Sequence, residues 1–321
     1  MTPTLAPTSP PPAVPATPPL EAPVLAVRDV VKAFGDRSVL KGLSLDVRPR
    51  ESFCIVGPNG AGKSTAVDIF LGLLEADGGE VALLGRDPAK GRTTLFQEVG
   101  VQFQQNAFYP RVTPYEGLRA HAALYDRPRD PDLLLSALGL ERCARTRYMH
   151  LSGGERRRLH VALALMGSPR VAFLDEPSSG LDPQAQRELW AGLDLLRKEG
   201  LTLVFTTHNM REAEANADRV CLLLDGRAAL VGPPGALIRE RGFPSCVEGE
   251  VPDEQAAALA VAERPGSALR ADRTSRHVRL YGDGPDFEAD GLAWLRERGC
   301  TAVSVRATGL EDLFFIESQT P

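Results

Sequence analysis

Three observations predict an α/β fold of two unequal domains, with parallel strands carrying ligand-binding loops at their carboxyl ends. The stretch Gly57-Pro58-Asn59-Gly60-Ala61-Gly62-Lys63-Ser64-Thr65 satisfies G-x-x-x-x-G-K-[ST] at every position. It lies between the apolar run Phe53 to Val56 and a helical pattern from Ala66 to Leu74, the strand, loop and helix that the motif requires. Further along, compact apolar strands alternate with helical stretches and end in polar residues: Val171 to Leu174 before Asp175-Glu176, and Leu201 to Phe205 before Thr206-Thr207-His208. The length of 321 residues exceeds one ordinary domain.

The glycines of the loop let the backbone wrap closely enough for its N–H groups to meet phosphate oxygens, and the following helix adds a favourable dipole. Lys63 reaches the β- and γ-phosphates of a bound nucleoside triphosphate, and the Ser64 hydroxyl is placed to ligate Mg²⁺. The expected fold class is therefore a P-loop NTPase.

In chain order, residues 1–23 hold nine prolines among Ala, Thr and Ser, with no Lys or Arg. This reads as a disordered, polyproline-type tail and not a signal peptide. Val24 to Val31 and Leu43 to Val47 are expected strands around a turn, Phe34 to Arg37; Phe34 is either a core residue or a ring offered to a base. Gly78 to Gly85 and Val99 to Phe103 are further strands, the second ending in Gln104-Gln105, which alone reads as solvated. The helical pattern from Pro114 to Leu140 is broken by Arg127 to Pro131 and belongs to an inserted helical lobe at about 105–165. Ser152 and Glu155 form a capping pair for the next helix. That leaves the Gly153-Gly154 pair, whose exposed N–H groups suit an anion.

Two acids at the end of a buried strand are costly unless a metal or a water uses them, so Asp175 is the metal-side carboxylate and Glu176 the candidate base. Asp182 caps the helix Pro183 to Lys198. His208, at a strand end beside the same crevice, is either structural or functional. The first domain spans 24–235. Residues 236–321 read as a small C-terminal α/β domain without a catalytic motif: strands Cys246 to Val251, Arg276 to Gly282 and Cys300 to Arg306, helices Glu254 to Ala262 and Phe287 to Glu297, and an apolar turn at Leu310 to Ile316.

Composition removes several functions. The formal net charge of -5 gives no support for a nucleic-acid partner. No apolar run approaches the roughly 18 residues of a membrane helix, so any membrane role is borrowed from a partner. The five cysteines are scattered without a C-x-x-C pair and read as buried small hydrophobes.

The order and spacing of these pieces resemble the ATPase subunit of ABC transporters, from about Val24 to Gly235. Gly57 to Thr65 is the phosphate loop, Leu151 to Glu155 is close to the signature Leu-Ser-Gly-Gly-Gln, Val171 to Pro177 resembles the Walker B strand, and Ser179 to Asp182 the D-loop. By the same resemblance His208 is the switch histidine, Gln104 the Q-loop glutamine, and Phe34 the aromatic that stacks on adenine. Glu155 replaces the usual Gln, and Phe34 the usual Tyr.

The resemblance implies an ABC ATPase that binds ATP and Mg²⁺ at a site shared between two chains. Catalysis falls to Lys63, Gln104, Glu176, Asp182 and His208, with Ser64, Gln104 and Asp175 on the metal. Phe34, the loop residues, Gln104 and Asp175 hold nucleotide, and Ser152, Gly153 and Gly154 close it from the partner chain. Gln104 to Thr113, Thr207 to Glu214 and Leu310 to Phe314 resemble the branch that serves separate ABC-2-type permeases in export. A homodimer, an integral membrane permease and a peripheral place on the cytoplasmic membrane face follow from that resemblance, with Tyr109, Pro110 and Tyr115 as candidates for the coupling groove. The competing reading is a ribosome- or DNA-associated ATPase or a regulator without a transport partner. Such ribosomal relatives carry two cassettes and DNA-repair relatives a long coiled coil, whereas this chain has one cassette and no such insertion.

Overall fold

The computed structural model describes residues 22–90, 92–103, 108–240, 244–251 and 277–318. Its core is a six-stranded sheet in the order β5-β6-β7-β3-β8-β9. These strands are β3 (Ser52–Val56), β5 (Val99–Gln102), β6 (Val171–Asp175), β7 (Thr202–Thr207), β8 (Arg219–Leu224) and β9 (Arg227–Gly232). All pairings are parallel except β8 with β9. β3, β6 and β7 are buried at every residue, as a parallel sheet covered on both faces requires. Alternate side chains serve opposite layers: Cys54, Val56, Leu174 and Phe205 join the cluster under the helical lobe, whereas Phe53, Ile55, Phe173 and Val204 join the cluster under the first hairpin.

That hairpin belongs to an antiparallel sheet, β2-β1-β4, made from β1 (Leu25–Phe34), β2 (Arg37–Val47) and β4 (Gly78–Leu83). Both strands of the hairpin run up to the turn, further than their apolar pattern indicates. Register shifts along β1 interrupt the alternation of side chains, and Asp77 supports the polar end by accepting from Lys32 Nζ and Ala33 N at 2.7 Å each.

Helix α1 (Lys63–Phe70) follows the glycine-rich loop, and the short α2 (Arg92–Leu95) precedes β5. The helical lobe contains α3 (Pro114–Ala122), α4 (Pro131–Ala137) and α5 (Gly153–Ala164). Thr113 and Glu116 cap α3 reciprocally, and Leu118, Leu134, Leu138 and Leu159 fill the lobe's core. Helix α6 (Pro183–Lys198) begins where expected, with Asp182 Oδ1 accepting from Gln184 N and Ala185 N at 2.9 Å, a cap of about 1 kcal/mol. α7 (Met210–Asn216) and α8 (Pro234–Glu240) complete this part.

A further antiparallel sheet, β11-β10-β12, contains β10 (Ser245–Glu250), β11 (His277–Gly282) and β12 (Thr301–Ala307). α9 (Pro285–Glu297) packs on it through Leu295 and Val247. The helix expected at Glu254 to Ala262 lies outside the described residues. The segment expected as an apolar turn is instead a helix, α10 (Leu310–Ser318). Its N-terminus is satisfied from α7, where Glu214 Oε2 accepts from Leu310 N at 3.1 Å, so the cap is invisible in the local sequence.

All five cysteines are free and buried, in keeping with the sequence reading, and burial pushes the Cys221 thiol up to about 12. No helix among the described residues is long and apolar enough to cross a membrane.

The lobe carries a pH-sensitive packing contact. Burial, with Arg157 nearby, lowers His160 to about 4 from an ordinary 6.5, and its Nε2 lies 3.0 Å from the Tyr148 hydroxyl. The unfolded chain takes up this proton below about pH 6.5 and the folded chain only near pH 4, so the contribution is complete above 6.5 and is lost as pH falls toward 4. Chemical denaturation across this window should show His160→Gln with a shallower loss of stability than wild type. An imidazole titrating near 6.5 in the folded protein would contradict this.

Candidate active site

The site sits where β3, β6 and β7 end. Parallel register aligns Val56 with Thr207 and Asp175 with Thr206, which brings three loops together at the carboxyl edge of the sheet. Gly57 leaves β3 so tightly that a Cβ there would lie 2.3 Å from Leu223 O. Gly62, with φ 103°, turns the chain into α1, a conformation open to glycine. Lys63 is buried, and its Nζ donates to Gly57 O at 2.9 Å and Pro58 O at 3.0 Å. Burial lowers its pKa, while the Glu176 and Asp175 carboxylates act in the opposite direction.

Asp175 is held from two sides. Ser64 Oγ donates to its Oδ2 at 3.1 Å, and the Thr206 hydroxyl donates to its Oδ1. Thr206 Oγ1 in turn accepts from Glu176 N at 3.1 Å, so one hydroxyl fixes both acids. Glu176 has φ 49°, a left-handed conformation that costs a non-glycine residue on the order of 1 kcal/mol. Such strain persists only where the surroundings impose it, here with Glu176 N also donating to Thr206 O at 3.1 Å. A carboxylate can only accept, so His208 Nδ1–H donates to Glu176 Oε1, at 3.0 Å.

A cavity of about 570 Å³ opens on this edge, lined by Phe34, Arg37, Val39, the loop residues Asn59, Gly60 and Gly62 to Thr65, Glu176 and His208. Phe34 is 51% exposed and lines this cavity, so it is not a core residue. Arg37 is a cation of this cavity that sequence reasoning passed over, as it did Thr206; the first adjoins Phe34 in one turn, and the second precedes His208 by two residues. Gln104 lies outside the described residues. Asp182 does not line the cavity, its carboxylate being engaged at the N-terminus of α6.

Ser152, Gly153 and Gly154 open α5 but, among the described residues, line none of this cavity. Ser152 Oγ accepts from Glu155 N at 3.2 Å, and Glu155 Oε2 accepts from Ser152 N at 2.7 Å. Burial raises the Glu155 pKa, but the Ser152 bonds outweigh it and the carboxyl stays below its usual range. Its charge is therefore committed to its own helix end, a capping role that the substitution of Gln preserves.

Residues 40–179 match the family model described as ABC transporter. The Nod factor export ATP-binding protein I of Rhizobium etli is 39% identical over 218 residues, covering 66% of this chain and 69% of that protein. The chain is an ATP-binding subunit of the ABC transporter family. The protein of the same name from Burkholderia thailandensis is 36% identical over 297 residues, covering 89% of this chain and 94% of the relative, so that similarity extends into the C-terminal sheet. A solved ATP-binding subunit of an ABC transporter aligns with TM-score 0.61 and 27% identity over 68% of this chain and 93% of its own. A cassette solved in its ADP conformation, 24% identical with TM-score 0.61 over 68% of this chain and 94% of its own, shares the fold.

This ABC ATPase binds ATP, and the fit of the cavity to a triphosphate is direct: glycine-rich backbone, a buried lysine and a helix N-terminus converge on it. Ser64 and Asp175 present two hard oxygen donors side by side, a set suited to Mg²⁺. A neighbouring cavity of about 500 Å³ joins Pro58, Asn59, His208 and Arg211 to Glu311 and Phe314 of α10, so the C-terminal part of the ABC ATPase borders its nucleotide loops.

Proposed function

We propose that this ABC ATPase powers an ABC-2-type exporter, two copies closing over ATP and reopening after hydrolysis. The observation that carries the reading is the half-built site: the loop, Glu176 and His208 line one cavity and Asp175 is bonded to Ser64 at its edge, while Ser152 to Gly154 stand outside it at the start of α5. A second copy facing the first would supply those N–H groups to the γ-phosphate. The names of the relatives support export as the coupled work.

In this reading Phe34 stacks on the base, the loop N–H groups and Lys63 hold the phosphates, and the Glu176 carboxylate takes the proton of the attacking water. His208 fixes that carboxylate through Nδ1 and faces the γ-phosphate with its other edge. Mg²⁺, when bound by Ser64, Asp175 and Gln104, would supply charge neutralisation at the β- and γ-phosphates.

An apolar cavity of about 530 Å³ between sheet and lobe, lined by Phe103, Phe108, Tyr109, Tyr125 and His160 among others, suits a short helix of the permease. Tyr109, 76% exposed, is at its mouth. Pro110 and Tyr115 do not line it: Pro110 O accepts from Met149 N, and Tyr115 packs against the core of the lobe. The ABC ATPase would then sit at the cytoplasmic membrane face through its partner.

Coexpression with a candidate ABC-2-type permease is the test. Wild type should sediment with membranes and copurify with that permease, and Tyr109→Glu should reduce recovery at least about tenfold, a charge in the apolar contact being that costly. A wild-type chain that stays off membranes and copurifies with ribosomes would defeat the export reading.

A further inference from the structure

One carboxylate that the reaction above does not use gathers the loops that do. Glu212, in the first turn of α7, accepts from three side chains: Thr207 Oγ1 on Oε2 at 2.6 Å, Trp190 Nε1 on Oε1 at 3.2 Å, and the Ser178 hydroxyl, also on Oε1. Ser178 and Thr207 are buried, and each lies next to a catalytic loop. Ser178 is two residues beyond Glu176, and its carbonyl accepts from Leu181 N in the turn that leads to Asp182. Thr207 immediately precedes His208, and its carbonyl accepts from Gly57 N at 3.4 Å, the first residue of the phosphate loop.

Thr207 Oγ1 also accepts from Asn209 N at 3.0 Å, and Asn209 Oδ1 accepts from Glu212 N at 3.3 Å, so the histidine segment is tied to the helix at both ends. Trp190 brings the middle of α6 to the same point, packed edge-on against Phe205 with ring centroids 4.8 Å apart.

We propose that Glu212 is a positioning residue for hydrolysis, holding the Glu176–Ser178 turn and the Thr207–His208 turn in register so that the Glu176 and His208 side chains meet. Its side chain is not among those that line the nucleotide cavity. The geometry gives the reason a carboxylate is used: two oxygens that only accept orient both hydroxyls inward at once, whereas an amide presents one acceptor and one donor and lets one hydroxyl reverse. The inference rests on Glu176 and His208 acting in hydrolysis.

The test is a steady-state ATPase assay beside direct binding of a fluorescent ATP analogue, on the purified chain or its membrane complex, whichever turns over. Glu212→Gln should lower kcat about 10²-fold, the scale of a misplacement near 1 Å, with KM and analogue affinity within about twofold of wild type. Thr207→Val added to Glu212→Gln should cost little more, because both act through one contact. Trp190→Phe, which removes only the indole bond, should keep wild-type kcat.

If Glu212→Gln does not fold, Thr207→Val and Ser178→Ala each remove one donor and should lower kcat at unchanged affinity. Wild-type kcat in the folded variants overturns the proposal, as does a parallel loss of analogue binding or an equal loss in Trp190→Phe, which would mark Glu212 as a packing residue. Glu176→Gln in the same assay separates the two levels. If it turns over like wild type, the site reading itself fails; if it is inactive while Glu212→Gln is unimpaired, only the positioning role fails.

Discussion

Glu176→Gln is expected to bind ATP as wild type does and to lose at least about 10²-fold in turnover. The carboxylate stands at the carboxyl end of β6, its backbone forced to φ 49° and its N–H held by Thr206 Oγ1. An amide of the same shape keeps the packing and can still accept from His208 Nδ1–H, but it cannot take a proton from water. Binding survives because the phosphates are held elsewhere, by the loop, by Lys63 and by the helix N-terminus. Single-turnover kinetics beside equilibrium nucleotide binding measure both quantities. Full turnover in the purified variant would remove Glu176 from the role of base.

Asp312→Ala is expected to cost about 3 kcal/mol and to loosen the C-terminal sheet from α10. Asp312 is 1% exposed and accepts from Arg306 Nη1 at 2.7 Å, Arg306 Nη2 at 2.9 Å, Tyr281 Oη at 3.0 Å and Gly309 N at 2.8 Å. Burial pushes the carboxyl up, yet the Arg306, Gly309 and Tyr281 partners outweigh burial and hold it below the usual range. Alanine would leave a guanidinium, a buried hydroxyl and an N–H without this acceptor. The figure is set at the low end for a buried ion pair because the Arg306 side chain is 34% exposed.

A carboxylate with a lowered folded pKa stabilises above its unfolded value. This contribution is therefore expected to be present at neutral pH and to be lost as pH falls through the folded pKa. Thermal melting together with amide exchange across residues 277–318 reads the effect. Because α10 borders His208 through Phe314 and Glu311, the same variant should alter hydrolysis only as far as α7 is disturbed. An unchanged melting curve and unchanged exchange would show that the network is dispensable.

Contiguity decided what the sequence revealed. The phosphate loop is nine consecutive residues and was legible in full, as were the caps Ser152 and Asp182, whose partners lie within three residues. Asp175 and Glu176 stood out as acids at the end of an apolar strand. Thr206 and Glu212 did not, because their importance comes from the pairing of β6 with β7 and from a convergence of α6, α7 and the turn at Ser178. α10 was missed for the same reason, its cap Glu214 lying 96 residues away in the chain. The apolar pattern also could not show which way Tyr109 and Tyr115 face: both adjoin the lobe, and one is exposed at the groove while the other packs inward. The full length of β1 and β2 was hidden by bulges that break the alternation.

Mixing two variants, each inactive alone, tests the shared site most directly. Lys63→Ala removes the phosphate lysine. Gly153→Asp places a charge at the start of α5, where a Cβ meets nothing within 4 Å and an acid suits the helix N-terminus, so the fold is kept while the face offered to a partner's γ-phosphate turns repulsive. In a mixed dimer one site would combine an intact loop from the Gly153→Asp chain with an intact Ser152 to Gly154 from the Lys63→Ala chain. A site shared between two chains therefore restores hydrolysis on mixing. A mixture as inactive as its components, with mixed dimers shown to form, would contradict it.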